Sequence, residues 1–360
     1  MLPIRFATRP DERGAGRVVH VDGSPIGEST PNDLHLSHWP GNLTPEPLKR
    51  DLSTEIAFAF LDLPEAQRDD LLAGAEAFVL NHYDTDGICA LFVLTRPDDA
   101  RPHRERLHEV ALSGDFFTVR SDEAFAIDVA LRELGEQARA TTAGGGKSDK
   151  QSLVEDALAL LGRLLEDPVE ADQAAALERI AEDRAALEGA SFDDLIYLDF
   201  GVWTSPLAGP APGPFDPVSF DPGRHAFFGD GRVDRALLLG QHATGTTARF
   251  VIGTRSFFDV VSAAPSARPD LVALCAKLQA LEPGASKGAW HHHDPRSASP
   301  ELWFGHPDMS LYAEHAGEFL IPSAIPMLTI RKAVTDAIRD TWVLPDDDEE
   351  ADEDEDIFAV

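Results

Sequence analysis

With 360 residues, 43% of them hydrophobic, the chain is long enough to bury more than one sizeable core, which excludes wholesale disorder. Lysine and arginine number 31 against 63 aspartates and glutamates, and the resulting net charge of −32 excludes a dedicated binder of duplex nucleic acid unless bound cations reverse the local sign. Cys89 and Cys275 are the only cysteines, too few for a disulfide framework or a cysteine zinc site, and no apolar run reads as a signal peptide or a bilayer span, so the expectation is a cytoplasmic protein without a membrane partner.

Residues 1–50 are rich in Pro, Gly, Asp and His, hold His35, His38, Trp39 and the turn Pro40-Gly41-Asn42, and lack sustained periodicity, which predicts an irregular N-terminal arm. Asp51 or Ser53 is placed to cap a helix whose apolar positions are Ile56, Ala57, Phe60 and Leu61, and a second helix follows near Glu65–Ala73. Ala77–Leu80 reads as a short strand, Asn81–Gly87 as a loop and Ile88–Leu94 as an apolar helix. Arg101–Leu112 and Ser121–Arg139 read as helices, and Gly144–Ser148 as a linker, since its spacing and its place after a helix reject a P-loop. Residues 151–188 read as two amphipathic helices inserted in a first domain of residues 51–205, and Asp193–Gly201 as a strand that closes it. The Pro/Gly-rich stretch 206–222 marks a boundary. Beyond it, strands near 236–239, 248–253 and 257–261 and a helix over 270–281 predict a smaller α+β second domain over 223–342. Ten acidic residues crowd into Asp346–Asp356, so 346–360 reads as a disordered acidic tail.

The loop Asn81–Gly87 carries the chemistry. His82, Asp84 and Asp86 fall on alternate positions, so in an extended segment they project to one side, and Gly87 opens a helix whose free N–H groups suit a phosphate. An EF-hand fails because Val93 stands where its bidentate Glu is required. The plainer alternative is an Asx-rich turn in which Asp86 merely caps a helix. Asp115, after Gly114, is either a further carboxylate ligand or an ordinary turn residue. In the second domain His291 and His293 share a strand face suited to a transition metal, and Arg255, Lys287 and Arg296 suit a phosphate; a surface strand with ordinary histidines is the competing reading. Trp290 and Trp303 are either stacking platforms for a base or core residues.

The run Val79-Leu80-Asn81-His82-Tyr83-Asp84-Thr85-Asp86-Gly87-Ile88 resembles the first motif of the DHH phosphoesterases, in which a strand delivers His or Asp and then Asp-x-Asp-Gly to a pair of manganese ions. The resemblance covers about ten residues. It implies an α/β fold with a DHH-like parallel-sheet first domain and a manganese-dependent phosphoesterase acting on a small phosphodiester or phosphoanhydride. It also implies that Asp199, at the end of a later strand, supplies another ligand. The family's Asp-His-His triplet is absent before position 290, with His225 and His242 as isolated substitutes. The alternative is therefore a non-catalytic nucleotide-binding or adaptor protein with a degenerate site. The segments His38–Asn42, Asn81–Gly87 and Ser113–Phe116 also resemble those shared by an uncharacterised bacterial family. Oligomeric state is not legible.

Overall fold

A computed structural model describes residues 2–24, 32–143, 149–167, 173–196, 199–206, 220–264, 266–284 and 288–341. The Gly144–Ser148 linker, most of the 206–222 boundary, Lys287 and the acidic tail lie outside the described residues.

Two sheets organise the fold, which is mixed α/β. The first holds β1 (Ile4–Phe6), β2 (Arg17–Val21), β3 (Leu34–Leu36) and β4 (Ala75–Leu80) in the order β1-β4-β2-β3, with every pairing parallel. Residues 1–50, expected as an irregular arm, thus supply three of its four strands. These strands are only three to five residues long, too short for alternation to register against the Gly, Pro and Asp around them.

Val19, Val21, Leu34, Leu36, Phe78 and Leu80 form one face of this sheet and share a core with the helices Ser53–Leu61 and Thr85–Thr95. Every residue of Thr85–Thr95 is buried, because the helix is apolar all round and lies in the middle of its domain. The helices Arg104–Phe116, Asp122–Ala143 and Lys150–Glu166 wrap it. Val154, Ala157, Leu158, Leu161, Leu164 and Leu165 belong to the same core, so Lys150–Glu166 is an integral wall of the domain rather than a detachable insertion. The helix Ala174–Glu188 instead sets Ile180 against Phe125 and Val129.

The second sheet holds β5 (Ser191–Ile196), β6 (Phe200–Pro206), β7 (Arg235–His242), β8 (Gly245–Ile252), β9 (Ala289–His292) and β10 (Glu301–Gly305) in the order β5-β6-β7-β8-β10-β9. Only β6 and β7 run parallel. One face packs Val202, Leu237, Leu239, Phe250 and Phe304 on the helices Leu271–Leu281 and Met327–Arg339.

Residues 193–201 are therefore not one strand closing the first domain. Residues 193–196 belong to β5 and 200–201 to β6, antiparallel neighbours in the second sheet. The expected strand over 257–261 is absent as well. Phe257 and Phe258 leave the sheet to pack on Trp39 and Phe116, so their apolarity serves a contact with the segment after β3 and the helix Arg104–Phe116.

Candidate metal centre

Three neighbouring strands of the parallel sheet end at one place. Asp22 follows β2, His38 lies just beyond β3, and His82 and Asp84 follow β4. The carboxyl edge of an open parallel sheet is where such folds bind ligands, because the loops there converge over free helix N-termini. Asp22 takes a left-handed φ of 49° and Gly23 one of 82°. A Cβ on Gly23 would lie 2.1 Å from Asn81 Oδ1 and 2.9 Å from His82 Nδ1, so glycine is what lets the two exit loops cross. Gly114 plays the same part from the helix Arg104–Phe116, since a Cβ there would lie 2.6 Å from Thr85 Cβ. That close approach brings Asp115 to the cluster, inside the last turn of its helix rather than beyond it.

His38 Nε2 sits 3.0 Å from Asp115 Oδ2, 3.5 Å from Asp22 Oδ1 and 3.6 Å from Asp86 Oδ2. His82 Nε2 sits 3.1 Å from Asp22 Oδ2 and also meets Asp84 Oδ2. Asp22, His38 and Asp86 form one group with metal-ligating reach, Asp22, His82 and Asp84 a second, and Asp22 is common to both. Asp22 Oδ2, His38 Nε2 and Asp115 Oδ2 are buried without a hydrogen-bond partner. Such orphaned atoms are costly unless something polar or cationic joins them.

The far sides of both imidazoles are anchored. His38 Nδ1 donates to the Asp51 carbonyl, and His82 Nδ1 donates to Asn81 Oδ1 at 2.7 Å. These partners assign each Nε2 lone pair to the cluster, the outer-ligand arrangement that orients metal-binding histidines. The donor set of two imidazole nitrogens and several carboxylate oxygens suits a first-row divalent ion.

The local reading of the loop needs one correction. Asp84 is extended and caps the helix Thr85–Thr95, its Oδ1 accepting from Gly87 N at 2.8 Å, while Asp86 lies inside that helix's first turn. The three side chains therefore meet through a strand-to-helix turn rather than by alternation. His82 and Asp84 fall in one triad and Asp86 in the other. Asp86 has a second task, since its two oxygens accept from Ser53 N at 2.7 Å and Thr54 N at 2.9 Å. It thereby caps Ser53–Leu61 from 33 residues away. Of the two expected caps, Ser53 is the first residue of the helix, and Asp51 instead accepts from Val261 N at 2.8 Å and Ser262 N at 2.9 Å, in the segment that follows β8.

Electrostatics follow from burying acids beside imidazoles. Burial alone pulls the His38 pKa down, but Asp115, then Asp86 and Asp22, outweigh it and raise it to about 9. His82 is likewise raised well above the usual histidine range, with Asp84 and Asp22 overcoming burial. Burial and the charge of Asp22 push Asp86 up to about 7. In the metal-free state the cluster thus holds protons that a cation must displace. Mn2+ affinity should rise between pH 6.5 and 9 by roughly tenfold per unit for each imidazole proton lost. Calorimetric titration across that range checks this, and a flat profile contradicts the ligand set.

The remaining sequence-derived candidates lie elsewhere. Asp199 pairs with Arg235 and accepts from Ser266 Oγ at 2.5 Å, so the structure does not bring it to the cluster. Arg255 is spent on the Gly231 carbonyl at 2.8 Å and on Thr118 Oγ1 at 3.3 Å. His291 and His293 flank Trp303. His293 accepts from Glu301 N through Nδ1 and donates to the Met309 carbonyl through Nε2, which leaves no lone pair for a metal. Arg296 points to solvent and pairs with Asp294. Trp290 and Trp303 are buried, as the core reading had it. His225 approaches Asp128 and Glu314, and His242 lies 3.3 Å from Thr247 Oγ1.

Sequence reasoning missed Asp22 and His38 as members of the cluster. The available signal was the run Val18-Val19-His20-Val21-Asp22-Gly23, an apolar strand ending in Asp-Gly much as β4 leads into its own acidic loop.

The cluster opens into a cleft of about 720 Å³, whose walls include Trp39, Asp115, Arg132, Phe258 and Tyr312. Among the described residues, no helix is long and apolar enough to cross a membrane. No curated protein and no solved structure matches the chain. A family model does match, over residues 2–349, and the chain belongs to that family, one of unknown function (DUF6687).

Proposed function

We propose that this protein is a divalent-metal-dependent phosphoesterase, a hydrolase acting on a small phosphodiester or phosphoanhydride, with manganese the ion that the DHH-type resemblance implies. The observation that carries the reading is the convergence of three buried ligand atoms, Asp22 Oδ2, His38 Nε2 and Asp115 Oδ2, that face other acids and imidazoles of the cluster without a formed hydrogen bond, at a cleft. His38, Asp86 and Asp115 would hold one ion and His82 and Asp84 a second, with Asp22 bridging. Such ions neutralise charge on phosphoryl oxygens and lower the pKa of a water. The chain's part is to keep both imidazoles oriented through Asp51 and Asn81, to hold four carboxylates together despite their repulsion, and to wall the reacting group off in the cleft. The cations also explain how so acidic a protein would accept an anion.

Elemental analysis of protein purified without chelator tests the reading, together with hydrolysis of an aryl phosphodiester and of inorganic pyrophosphate in Mn2+. Up to two divalent ions per chain and metal-dependent turnover are expected. A folded, metal-free protein that hydrolyses neither compound would leave the non-catalytic binding alternative.

A further inference from the structure

The helix Asp122–Ala143 runs beside the ligand loop and presents Arg132, Glu136 and Arg139 to the same cleft. Arg132 is held from behind. Its Nε donates to Asp128 Oδ2 at 3.2 Å, and Asp128 also accepts from Thr85 Oγ1 at 2.7 Å and from Ser113 Oγ at 2.8 Å. Thr85 lies between Asp84 and Asp86, and Ser113 two residues before Asp115. Two hydrogen bonds therefore register this guanidinium against the metal ligands. Tyr83 adds a third tie, its hydroxyl donating to the Leu131 carbonyl at 2.8 Å. Gly135 lets the Tyr83 ring lie on the helix, since a Cβ there would fall 2.6 Å from its Cε1.

Asp128 is fully buried, and its charge is secure. Burial raises its pKa, but Arg132, His225 and Thr85 together bring it down to about 2. Arg132 is thus pinned at Nε while Nη1 and Nη2 have no hydrogen-bond partner among the described residues. Two other acids lie near Arg132: Glu136, one turn on along the helix, and Glu314, which is occupied by His225, whose Nδ1 lies 3.1 Å from both of its carboxylate oxygens. Arg139 follows on the same helix face two turns on, roughly 10 Å away at 1.5 Å per residue. An arginine in a cleft wall, fixed at Nε and with its terminal amino groups unbonded, is preorganised for bidentate contact with an anion.

From this geometry we infer that Arg132, with Arg139 behind it, is a subsite for a second anionic group of the substrate, beside the phosphoryl group that the ions engage. The ligand class is accordingly a phosphoanhydride or a molecule with a second phosphate, in preference to a phosphodiester with neutral arms. The inference rests on the phosphoesterase reading for its first phosphoryl group, whereas the arginine subsite stands on its own geometry.

The test is calorimetric binding of inorganic pyrophosphate and of orthophosphate, in Mn2+, to wild type, Arg132→Gln and Arg132→Lys of equal melting temperature. Wild type should bind pyrophosphate more tightly than orthophosphate. Arg132→Gln should lose at least about tenfold in pyrophosphate affinity, with orthophosphate changed less than about twofold, and Arg132→Lys should recover part of the loss because it restores charge without the fork. Equal affinity of Arg132→Gln and wild type for pyrophosphate, or a parallel loss for both anions, overturns the inference. A protein that binds no Mn2+ yet loses pyrophosphate on Arg132→Gln would keep the subsite and sink the phosphoesterase. Mn2+-dependent hydrolysis of an aryl phosphodiester with pyrophosphate affinity unmoved in Arg132→Gln would do the reverse.

Discussion

Asp22→Asn should strip the centre of metal and lower hydrolysis by at least about 1,000-fold, equivalent to about 4 kcal/mol of transition-state stabilisation, while the fold survives. The position suits the test for two reasons. Asparagine tolerates the left-handed φ of 49° found there, and it keeps one carbonyl oxygen to accept from Ser53 Oγ, which now donates to Asp22 Oδ1 at 2.7 Å. What disappears is the charge and the second oxygen, the one facing His82 at 3.1 Å, of a residue common to the two ligand groups. Metal content measured beside turnover and melting temperature checks the outcome. Wild-type stoichiometry and rate in a folded Asp22→Asn protein would remove the bridging role and with it the proposed centre. Asp86→Asn is a poorer probe, although the loop sequence points to it first. Both Asp86 oxygens accept backbone N–H groups, so an amide there would set a donor against a buried donor at a cost of about 1–3 kcal/mol. Lost activity in that variant would mix ligation with folding.

Glu301→Gln should destabilise the protein by about 3–5 kcal/mol without touching the cluster. Glu301, Arg224 and Arg249 are all fully buried, and Glu301 pairs with both guanidiniums, Arg249 having Asp221 at 3.1 Å as a further partner. Arg249 reaches it through Nε at 2.7 Å and through Nη2 at 3.1 Å. Glutamine preserves shape but leaves buried positive charge short of a counter-ion, the situation in which breaking a buried pair is expensive. The same arginines hold the Ala313 carbonyl, at 2.7 Å from Arg249 Nη2 and 3.3 Å from Arg224 Nε. Loss of Glu301 should therefore also loosen the cleft wall formed by Tyr312, Ala313 and Glu314. Equilibrium urea unfolding measures the effect, and a difference under about 1 kcal/mol would contradict it. The pH dependence has a definite sign. Burial raises the Glu301 pKa, but Arg249 and Arg224 outweigh it and leave it lowered. Its stabilisation is then complete above the unfolded carboxylate value of about 4.3 and disappears as pH falls through the lowered folded value. The gap between wild type and Glu301→Gln should close in acid.

His82, Asp84 and Asp86 were legible because a strand, a ligand-bearing loop and a helix N-terminus follow one another within about ten residues. Asp115 was legible as a candidate from its glycine neighbour, although the glycine serves the approach of Thr85 rather than an exceptional angle at a helix exit. Asp199 was misplaced because a strand ending in Asp-x-Gly looks alike in either sheet, and nothing local says that Arg235 waits across the ladder. The arginine pair Arg224 and Arg249 shares a carboxylate 77 and 52 residues away, a separation that leaves no pattern in the sequence.

By itself the sequence determined what is local: the acidic balance, the apolar helix that had to be central, and the contiguous half of the candidate metal centre. Only the tertiary structure decided the rest. Strands of three to five residues carry too little periodicity to announce themselves, and they acquire meaning when parallel pairing, of β1 and β2 with β4 and of β3 with β2, satisfies their backbone. That pairing brings Asp22 and His38 from the first forty residues to the loop after β4. Which carboxylates become partnerless, which carry protons and which neutralise arginines depends on burial and on neighbours distant in sequence.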